Sequence, residues 1–421
     1  MLTAWLCVLS YCPVTSAELD PQAPTFQLSE PVNYFSTVIG KPTGVNGYEE
    51  FTLAGDLSRS VELQKIGYFQ NWLTTGKKGR PSVVPVGLSK DSSLTDLNQV
   101  KLKACKEIVA LVKRGCTKKV FRPGEIADGF SFPQLARFKL VANLLVDCAG
   151  AELSKGERGK AASILKDSYH MGFLISEGSL TSVLVGSTVR AISLAGIHRG
   201  SQQFSRTAWK EFESLGVQLL ALPAPEFKAH ARSRMEPLKL AEADLFRGGD
   251  AGKAPEDSVI KWWFELLALS TEKKQQLIKA GRAHLAEYYS AVDARSIGPE
   301  SEWLTPFKMS EAHDPTKKRT AEQEFFSFIE MGVSFDTLFE SAAKSLTQLR
   351  VLVATARVHQ FRFQNGRLPN NLQEALGGFA NDPLTNQPFI YQKLSRQEFR
   401  IASRGSKKLG RIGLIYTKPK T

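Results

Sequence analysis

Apolar side chains in the middle of the chain recur at steps of three, four or seven residues, the spacing of one face of an α-helix. Between residues 94 and 112 they predict a long helix, and Gly115 is placed to end it. Pro133 is placed to open the next helix, and further helix-spaced segments follow up to Gly200. Short turns that contain glycine separate these segments, so we expect antiparallel helical hairpins that stack on one another.

The same spacing predicts how the chain is divided. A helical body is predicted for residues 91–330, and a distinct module for residues 331–421. Residues 18–90 are rich in Pro, Gly, Ser and Thr, and we expect them to wrap over the body as an extended arm. Inside this arm, residues 46–57 are helix-spaced, with Asn46 as a candidate N-cap.

The C-terminal module combines a long helix with turn signals. Apolar positions trace one helical face over residues 335–363. Gly366 is then placed for the left-handed backbone conformation that ends a helix, and Pro369 for the first position of a short helix. Asp382 and Pro383 predict a turn, because proline presets φ and the aspartate side chain bonds the following backbone amides.

Alternating runs after residue 389 predict three short strands. We expect Phe399 and Ile401 to face the long helix and Ala402 to point outward. The sequence thus predicts a mainly α protein. In it, stacked helical hairpins like those of tetratricopeptide repeats precede a small α+β module, a long helix packed on a short antiparallel sheet.

Three stretches of this module together resemble the periplasmic head of type II secretion pseudopilins: FQNGRLPNNLQEAL, NDPLTNQPFIYQKL and FRIASRG. Members of that family repeat the order helix, loop, short helix, proline turn and final strand. The chain also resembles exported bacterial proteins that join a helical body to such a module. The resemblance implies the fold of the head, used as a domain, and by itself it implies no activity.

One departure from the pseudopilin pattern bears on function. Pseudopilins begin with a continuous apolar helix of about 20 residues, which inserts in the membrane and packs the filament. Here the corresponding helix is internal, and four polar side chains interrupt its apolar run: Arg350, Arg357, His359 and Arg362. We therefore expect no filament assembly.

The first residues predict a secretory signal peptide over residues 1–17. Residues 2–14 are apolar but too short to span a bilayer, and Pro13 would break a helix there. Small residues precede the predicted cleavage point after Ala17. We therefore expect an exported protein of the periplasm or cell envelope, with no second apolar run near the length of a membrane span.

Cleavage would remove Cys7 and Cys12 and leave three cysteines: Cys105, Cys116 and Cys148. If one helix runs through Cys105 and Cys116, they lie about 16 Å apart, too far for a disulfide. Whether any two of the three are bridged stays open at this point. No CxxC pair occurs, so a metal site built from cysteines is not predicted.

Positive charge is concentrated at the end of the chain. The net charge is +13, and the segment from residue 393 onward contains nine basic residues and only one acidic residue. The predicted anion-binding residues are Arg396, Arg400, Arg404, Lys407 and Lys408. Alternation with apolar residues would place the three arginines on one outer strand face, able to bind phosphate or anionic glycan. The alternative is that these charges only protect an exposed strand edge.

Patterns for catalysis or metal binding are weak. The six histidines include no HExxH pair, and the three Ser-x-x-Lys spacings lack the partner motifs of serine acyl enzymes. We expect His170 and His198 to be core or hinge residues and His359 to pack or cap. The cluster of Glu49, Glu50 and Asp56 predicts a solvated helix face. No catalytic residue, cofactor or metal is predicted.

The sequence therefore favours an exported, non-enzymatic interaction or scaffold protein of a bacterial envelope, with an envelope protein as partner. Two alternatives remain. One is an envelope hydrolase that acts on glycan, with carboxylates in a cleft of the helical body. The other binds an anionic polymer or membrane surface through the basic terminal sheet. No specific nucleic-acid partner is predicted, and the oligomeric state is open.

Overall fold

The computed structural model describes residues 44–75, 83–118, 132–177, 180–233, 236–246, 261–298, 300–304, 320–330, 335–377, 381–405 and 413–416. Over these residues the protein is mainly α, with one small antiparallel sheet. This confirms the coarse fold prediction. The predicted signal peptide, residues 1–17, lies outside the described residues. None of the described helices is long and apolar enough to cross a membrane.

The helices in chain order are α1 Gly47–Leu57, α2 Val61–Thr75, α3 Leu94–Thr117, α4 Phe132–Ser154, α5 Arg158–Ser176, α6 Leu180–Gly200, α7 Arg206–Leu220, α8 Pro225–Ser233, α9 Glu236–Phe246, α10 Lys261–Leu267, α11 Thr271–Ser296, α12 Ala321–Glu330, α13 Phe335–Asn365 and α14 Leu372–Leu376. A 3₁₀ turn spans Glu300–Glu302. The strands are β1 Ile390–Lys393, β2 Phe399–Ala402 and β3 Gly413–Tyr416.

Side-chain caps fix where several helices begin. Asn46 Oδ1 accepts a hydrogen bond from Tyr48 N at 3.0 Å, so the predicted N-cap of α1 is confirmed. Ser93 and Asp96 form a reciprocal capping box at the start of α3. These bonds satisfy backbone donors that have no partner inside their own helix.

The middle helices α4, α5 and α6 pack against one another. Helices α5 and α6 approach very closely, because two glycines face each other at their crossing. A Cβ atom on Gly186 would clash with Ser176 Oγ and with the carbonyl oxygen of Gly172. Ser168 and Ser193 also meet across this contact, with hydroxyl oxygens 2.7 Å apart. Small side chains therefore set the spacing of this hairpin.

Two hydrophobic clusters form the core, and α13 belongs to both. The first cluster draws on α1 to α7, the second half of α13, α14 and the sheet. The second draws on α9 to α12 and the first part of α13. With 31 residues, α13 is about 46 Å long, which is enough to cross both clusters. Its main neighbour is α7, where Val353 fills the space left by Gly216.

The three strands form one antiparallel sheet in the order β1-β2-β3. Tyr391 of β1 lies opposite Ile401 of β2, and Phe399 of β2 lies opposite Tyr416 of β3. Phe399 and Ile401 are fully buried beside α13, as predicted. Ala402, expected to point outward, is buried as well.

The expected extended arm is wrong for residues 61–75, which form helix α2. Its buried residues Leu63, Ile66 and Phe69 recur every three positions, a helical spacing that the polar composition of the region obscured. Helix α3 also continues past Gly115 to Thr117. Gly115 lies against Phe51 of α1, so the close crossing of two helices explains this glycine better than a helix end.

Candidate functional site

A buried polar network joins α6, α8 and α13. Arg190 is 2% exposed, Glu226 0% and Ser345 6%. Arg190 Nη2 donates to Glu226 Oε1 at 3.0 Å and to Ser345 Oγ at 2.8 Å. Ser345 Oγ in turn donates to the same carboxylate oxygen at 2.6 Å. One residue from each of three helices thus meets at a single oxygen atom.

Aromatic side chains of α5 enclose this network. The Phe173 ring centroid lies 6.0 Å from the Arg190 guanidinium carbon. Tyr169 is also buried, and burial raises its pKa to about 12, with the neighbouring Glu226 charge acting in the same direction and the Arg190 charge opposing it. Within the described residues, Arg190 Nε and Glu226 Oε2 make no hydrogen bond. A buried charged pair of this kind penalises any packing that separates its members, so it fixes the register of the helices.

A second buried ion pair joins α1 to α4. Asp56 contacts Arg137, and both side chains are almost fully buried. Glu49 is also buried, and its Oε2 accepts from Gly44 N at 2.8 Å. The predicted solvated face is therefore wrong for Glu49 and Asp56. Only Glu50 faces basic residues near the surface, with Arg114 at 3.3 Å.

The arginines that interrupt the apolar run of α13 have specific partners. Arg350 Nη2 donates to both carboxylate oxygens of Glu300, each at 2.7 Å. Arg357 Nε donates to Glu213 of α7 at 2.7 Å, and its Nη1 reaches the carbonyl of Leu376 in α14 at 3.4 Å. These bonds tie α13 to the helical body on one side and to the short helix α14 on the other.

Among the described histidines, His170, His198 and His359 have a lowered pKa, and His359 is the most deeply buried of these. It is 0% exposed, stacks on Trp209 and meets the edge of Phe399, so the packing role predicted for it is confirmed. Burial, reinforced by the charge of Arg362, lowers the pKa of His359 well below its usual value. Burial also lowers the pKa of His170 to about 4, and that of His198.

A half-buried carboxylate lies where α3 meets α5. Burial raises the pKa of Asp167 to about 6, against the opposing charges of Lys166 and Lys113. The backbone oxygen of Asp167 accepts a hydrogen bond from Cys116 Sγ at 3.3 Å. Lys166 also pairs with Glu211 of α7 at 2.9 Å.

The predicted anion-binding arginines occupy three different elements. Arg396 lies exposed in the turn between β1 and β2, and Arg400 lies half-buried within β2. Arg404 follows β2, where its Nε donates to the carbonyl of Pro388 at 3.1 Å. The structure therefore does not line them up on one strand. Lys407 and Lys408 lie outside the described residues.

Three of the four predicted turn residues take their expected places. Gly366 has φ +67°, and its N–H donates to Arg362 O at 2.9 Å, which ends α13. Pro369 is the exception, because Asn371 caps α14 and Pro369 precedes that cap. The Pro369 carbonyl instead accepts from the Tyr391 hydroxyl at 3.0 Å, which joins this loop to β1.

Asp382 does more than start the predicted turn before the buried Pro383. Its Oδ1 accepts from Leu384 N at 3.0 Å, as the turn requires. Its Oδ2 accepts from Ser403 Oγ at 2.8 Å and from Arg404 N at 2.7 Å. The carboxylate therefore clamps the end of β2 to the turn. The sequence signal identified the turn but not these distant partners.

The surface depressions among the described residues include the following two. The larger, about 490 Å³, lies between α9 and α11 beside the ion pair of Glu242 and Arg282. The smaller, about 210 Å³, lies between α4 and α6 and includes Gly150, Gly196 and Gly200 in its lining. In the part of the chain that the structure describes, no group of three or more His, Cys, Asp or Glu side chains is arranged to hold a metal ion.

In comparisons with known proteins, no family model, no curated sequence and no solved structure matched the chain.

Proposed function

We propose that the protein is an exported, non-enzymatic scaffold of a bacterial cell envelope, which presents its C-terminal module to an envelope protein. In this proposal the helical hairpins stack as in tetratricopeptide repeats and the terminal module has the fold of a pseudopilin head. The signal-like residues 1–17 support export. The order of helix, Gly366 loop, short helix, Asp382 turn and strands supports the head.

The observation that carries the proposal is the packing of α13 into both hydrophobic clusters. The sheet rests on the second half of this helix through Phe399, whose ring lies 5.1 Å from that of His359. Trp209 of α7 covers the opposite side of His359. The module is thus held at a fixed position on the body, and a preordered surface loses less entropy on binding than a flexible one.

The buried charges of the body favour the same interpretation. Arg190, Glu226 and Ser345 bond to one another between three helices, and Asp56 pairs with Arg137 between two more. Separating the members of either pair would leave a buried charge without its partner, which favours one arrangement of the helices. A scaffold requires a unique arrangement of this kind.

The photo-crosslinking of the full chain in living cells tests the proposal. A photoreactive amino acid is placed at Leu394, which is 42% exposed in the turn between β1 and β2. Ile297, 89% exposed at the end of α11, is the matched control position. We expect an adduct with an envelope protein from position 394 and none from position 297. Equal adducts from both positions, or none from position 394, would contradict a dedicated docking surface.

Binding to an anionic surface is the second candidate, and the exposed Arg396 and Arg404 near β2 favour it. Co-sedimentation with phosphatidylglycerol vesicles at low and high salt tests it, because contacts with phosphates weaken as salt rises. R396E should reduce binding, whereas R158E, an exposed arginine at the start of α5, should leave it unchanged. Equal effects of the two variants would indicate only a general attraction between opposite charges.

A further inference from the structure

Two free cysteines lie on α3 and α4, two helices that pack against each other. Cys105 and Cys148 are both 0% exposed and belong to the same hydrophobic cluster. The Cys105 thiol, together with desolvation by burial, raises the pKa of the Cys148 thiol. Because α3 and α4 pack directly against each other, the fold brings both buried cysteines into one region of the core although they are distant along the chain.

A salt bridge fixes the same register. Lys101 lies one helical turn before Cys105, so both side chains point from the same face of α3. Lys101 Nζ lies 2.9 Å from the Oδ2 atom of Asp147, the residue directly before Cys148. Lys101 is 3% exposed and also contacts Gln70 of α2. Any slip of α3 along α4 that moved the two cysteines apart would therefore also break this ion pair, whose lysine is buried and whose aspartate is 41% exposed.

The third described cysteine has a different environment. Cys116 lies about three turns further along α3 and donates to the backbone oxygen of Asp167, on α5, at 3.3 Å. Cys116 is therefore too far along α3 to react with Cys105 within the folded protein, and its thiol contacts α5. Of the three described cysteines, Cys105 and Cys148 are the two that lie fully buried on helices in contact with each other.

We propose that Cys105 and Cys148 form an intramolecular disulfide when the chain folds in an oxidising medium, which links α3 covalently to α4. The oxidant is a small-molecule or protein disulfide that acts by thiol–disulfide exchange. One cysteine thiolate attacks that disulfide, forms a mixed disulfide and releases one thiol. The second cysteine thiolate then displaces the other thiol and closes the intramolecular S–S bond. The two cysteines lose two protons and two electrons, and the oxidant is reduced to two thiols.

Burial determines when this reaction takes place. The Cys105 thiol, followed by desolvation, raises the pKa of the Cys148 thiol above its usual value. The thiolate is the reactive form, so the packed, reduced protein reacts slowly. The thiol–disulfide exchange therefore takes place while the chain folds, before α3 and α4 pack against each other. Once formed, the bond is shielded from reducing agents by the same core.

The test is oxidative refolding of the full chain with the substitutions C7S and C12S, which removes the other two thiols. The reduced, denatured protein is refolded with mixed oxidised and reduced glutathione, and in parallel with a reductant. Peptide mapping without reduction then identifies the cross-linked cysteines. We expect the Cys105–Cys148 peptide pair as the main product, together with a higher thermal midpoint in the oxidised than in the reduced protein.

Substitutions separate this proposal from random oxidation. C116A should leave both the cross-link and the rise in midpoint intact, whereas C105A and C148A should each abolish both. Alanine is used because it leaves no unpaired hydroxyl in the apolar core. Three free thiols after oxidative refolding, a main product that includes Cys116, or a cross-linked chain that regains no native circular dichroism would each overturn the proposal. The mapping needs no variant at Cys105 or Cys148, so a variant that fails to fold does not decide the result.

Discussion

The imidazole of His359 lies parallel to the indole of Trp209, with ring centroids 4.2 Å apart and planes 9° from parallel. The stack joins α13 to α7 in the middle of the first hydrophobic cluster. Because His359 is fully buried, its charged form is disfavoured in the folded protein. The stability of this packing should therefore depend on pH.

His359 is expected to make the protein less stable in acid. The folded pKa lies below the unfolded value of about 6.5, so below that pH the unfolded chain binds protons more readily than the folded protein. The free energy of unfolding should therefore fall as pH falls through this range. His170, with a pKa lowered to about 4, acts in the same direction.

The variant H359F tests this expectation, since phenylalanine keeps a flat ring beside Trp209 and removes the titration. Urea unfolding is measured at about pH 7.5 and about pH 5, on either side of the unfolded histidine pKa. The difference in unfolding free energy between the two conditions should be smaller in H359F than in the native protein. An unchanged difference would show that His359 does not contribute to the acid sensitivity.

Asp167 should have the opposite pH dependence. Burial raises its pKa from 3.8 to about 6, so the folded protein binds the proton more tightly than the unfolded chain. The stability that this group contributes is present below pH 3.8 and is lost as pH rises towards 6. We expect D167N to raise the thermal midpoint at neutral pH and to change it little near pH 4. E287Q, at an exposed glutamate of α11, controls for a general loss of negative charge. If D167N had a lower thermal midpoint than the native protein at neutral pH, the charge of Asp167 would not destabilise the folded protein.

The Arg190 and Glu226 pair should behave as a coupled unit. E226L leaves Arg190 charged and enclosed, which should cost about 3–5 kcal/mol of unfolding free energy. R190M should cost a similar amount, but the double variant should recover most of the loss, because it removes both charges. A double-mutant cycle from urea unfolding measures the coupling.

The exposed pair of Arg282 and Glu242 is the control, with a loss of about 0–1 kcal/mol of unfolding free energy expected for E242Q. If the losses of unfolding free energy in E226L and R190M simply added in the double variant, the two side chains would not act as a coupled pair.

The tight crossing of α5 and α6 can be tested with a single methyl group. G186A places a Cβ atom against Ser176 and Gly172, and such overpacking should cost about 1–3 kcal/mol or more. Gly150 of α4 is the matched control, since a Cβ there meets nothing within 4 Å. G150A should instead stabilise the protein by about 0.5–1 kcal/mol, because glycine is a poor helix former. Equal thermal midpoints for the two variants would show that α5 and α6 can move apart without cost.

Periodicity predicted the mainly helical class, because it follows directly from residues that repeat on one face. It did not predict α2, where Leu63, Ile66 and Phe69 are spaced among polar residues. Turn chemistry at Gly366 and Asp382 was also predictable, since it depends on a few neighbouring residues. Pro369 was misassigned because Asn371, two positions later, supplies the stronger cap.

The buried polar contacts could not be predicted, because they join residues far apart in the sequence. Arg190 and Ser345 are separated by 155 positions, and no local pattern relates them. The boundary at residue 331 stays a prediction for the same reason. This boundary rests on the order of local signals, whereas α13 takes part in two clusters that only the folded chain brings together. Carboxylates near Glu49 were expected at the surface because charge alone does not reveal a buried partner.

Asp382 should be the main attachment of the turn to the sheet. It is 0% exposed and accepts from Leu384 N, Ser403 Oγ and Arg404 N. D382A would leave these donors without the carboxylate, at a cost of about 2–3 kcal/mol, because hydrogen bonds to a buried charge are strong. Amide hydrogen exchange should show faster exchange at Leu384 and Arg404.

The variant S403A supplies the matched control for this prediction. It removes one donor to Asp382 and leaves the carboxylate with both backbone amides, so it should cost only about 1 kcal/mol. Exchange at Arg404 should then stay close to that of the native protein. Exchange within α5, which is remote in sequence from the turn, should be the same in both variants. If D382A exchanged no faster than S403A at Leu384 and Arg404, the backbone of the turn would hold the sheet without the carboxylate.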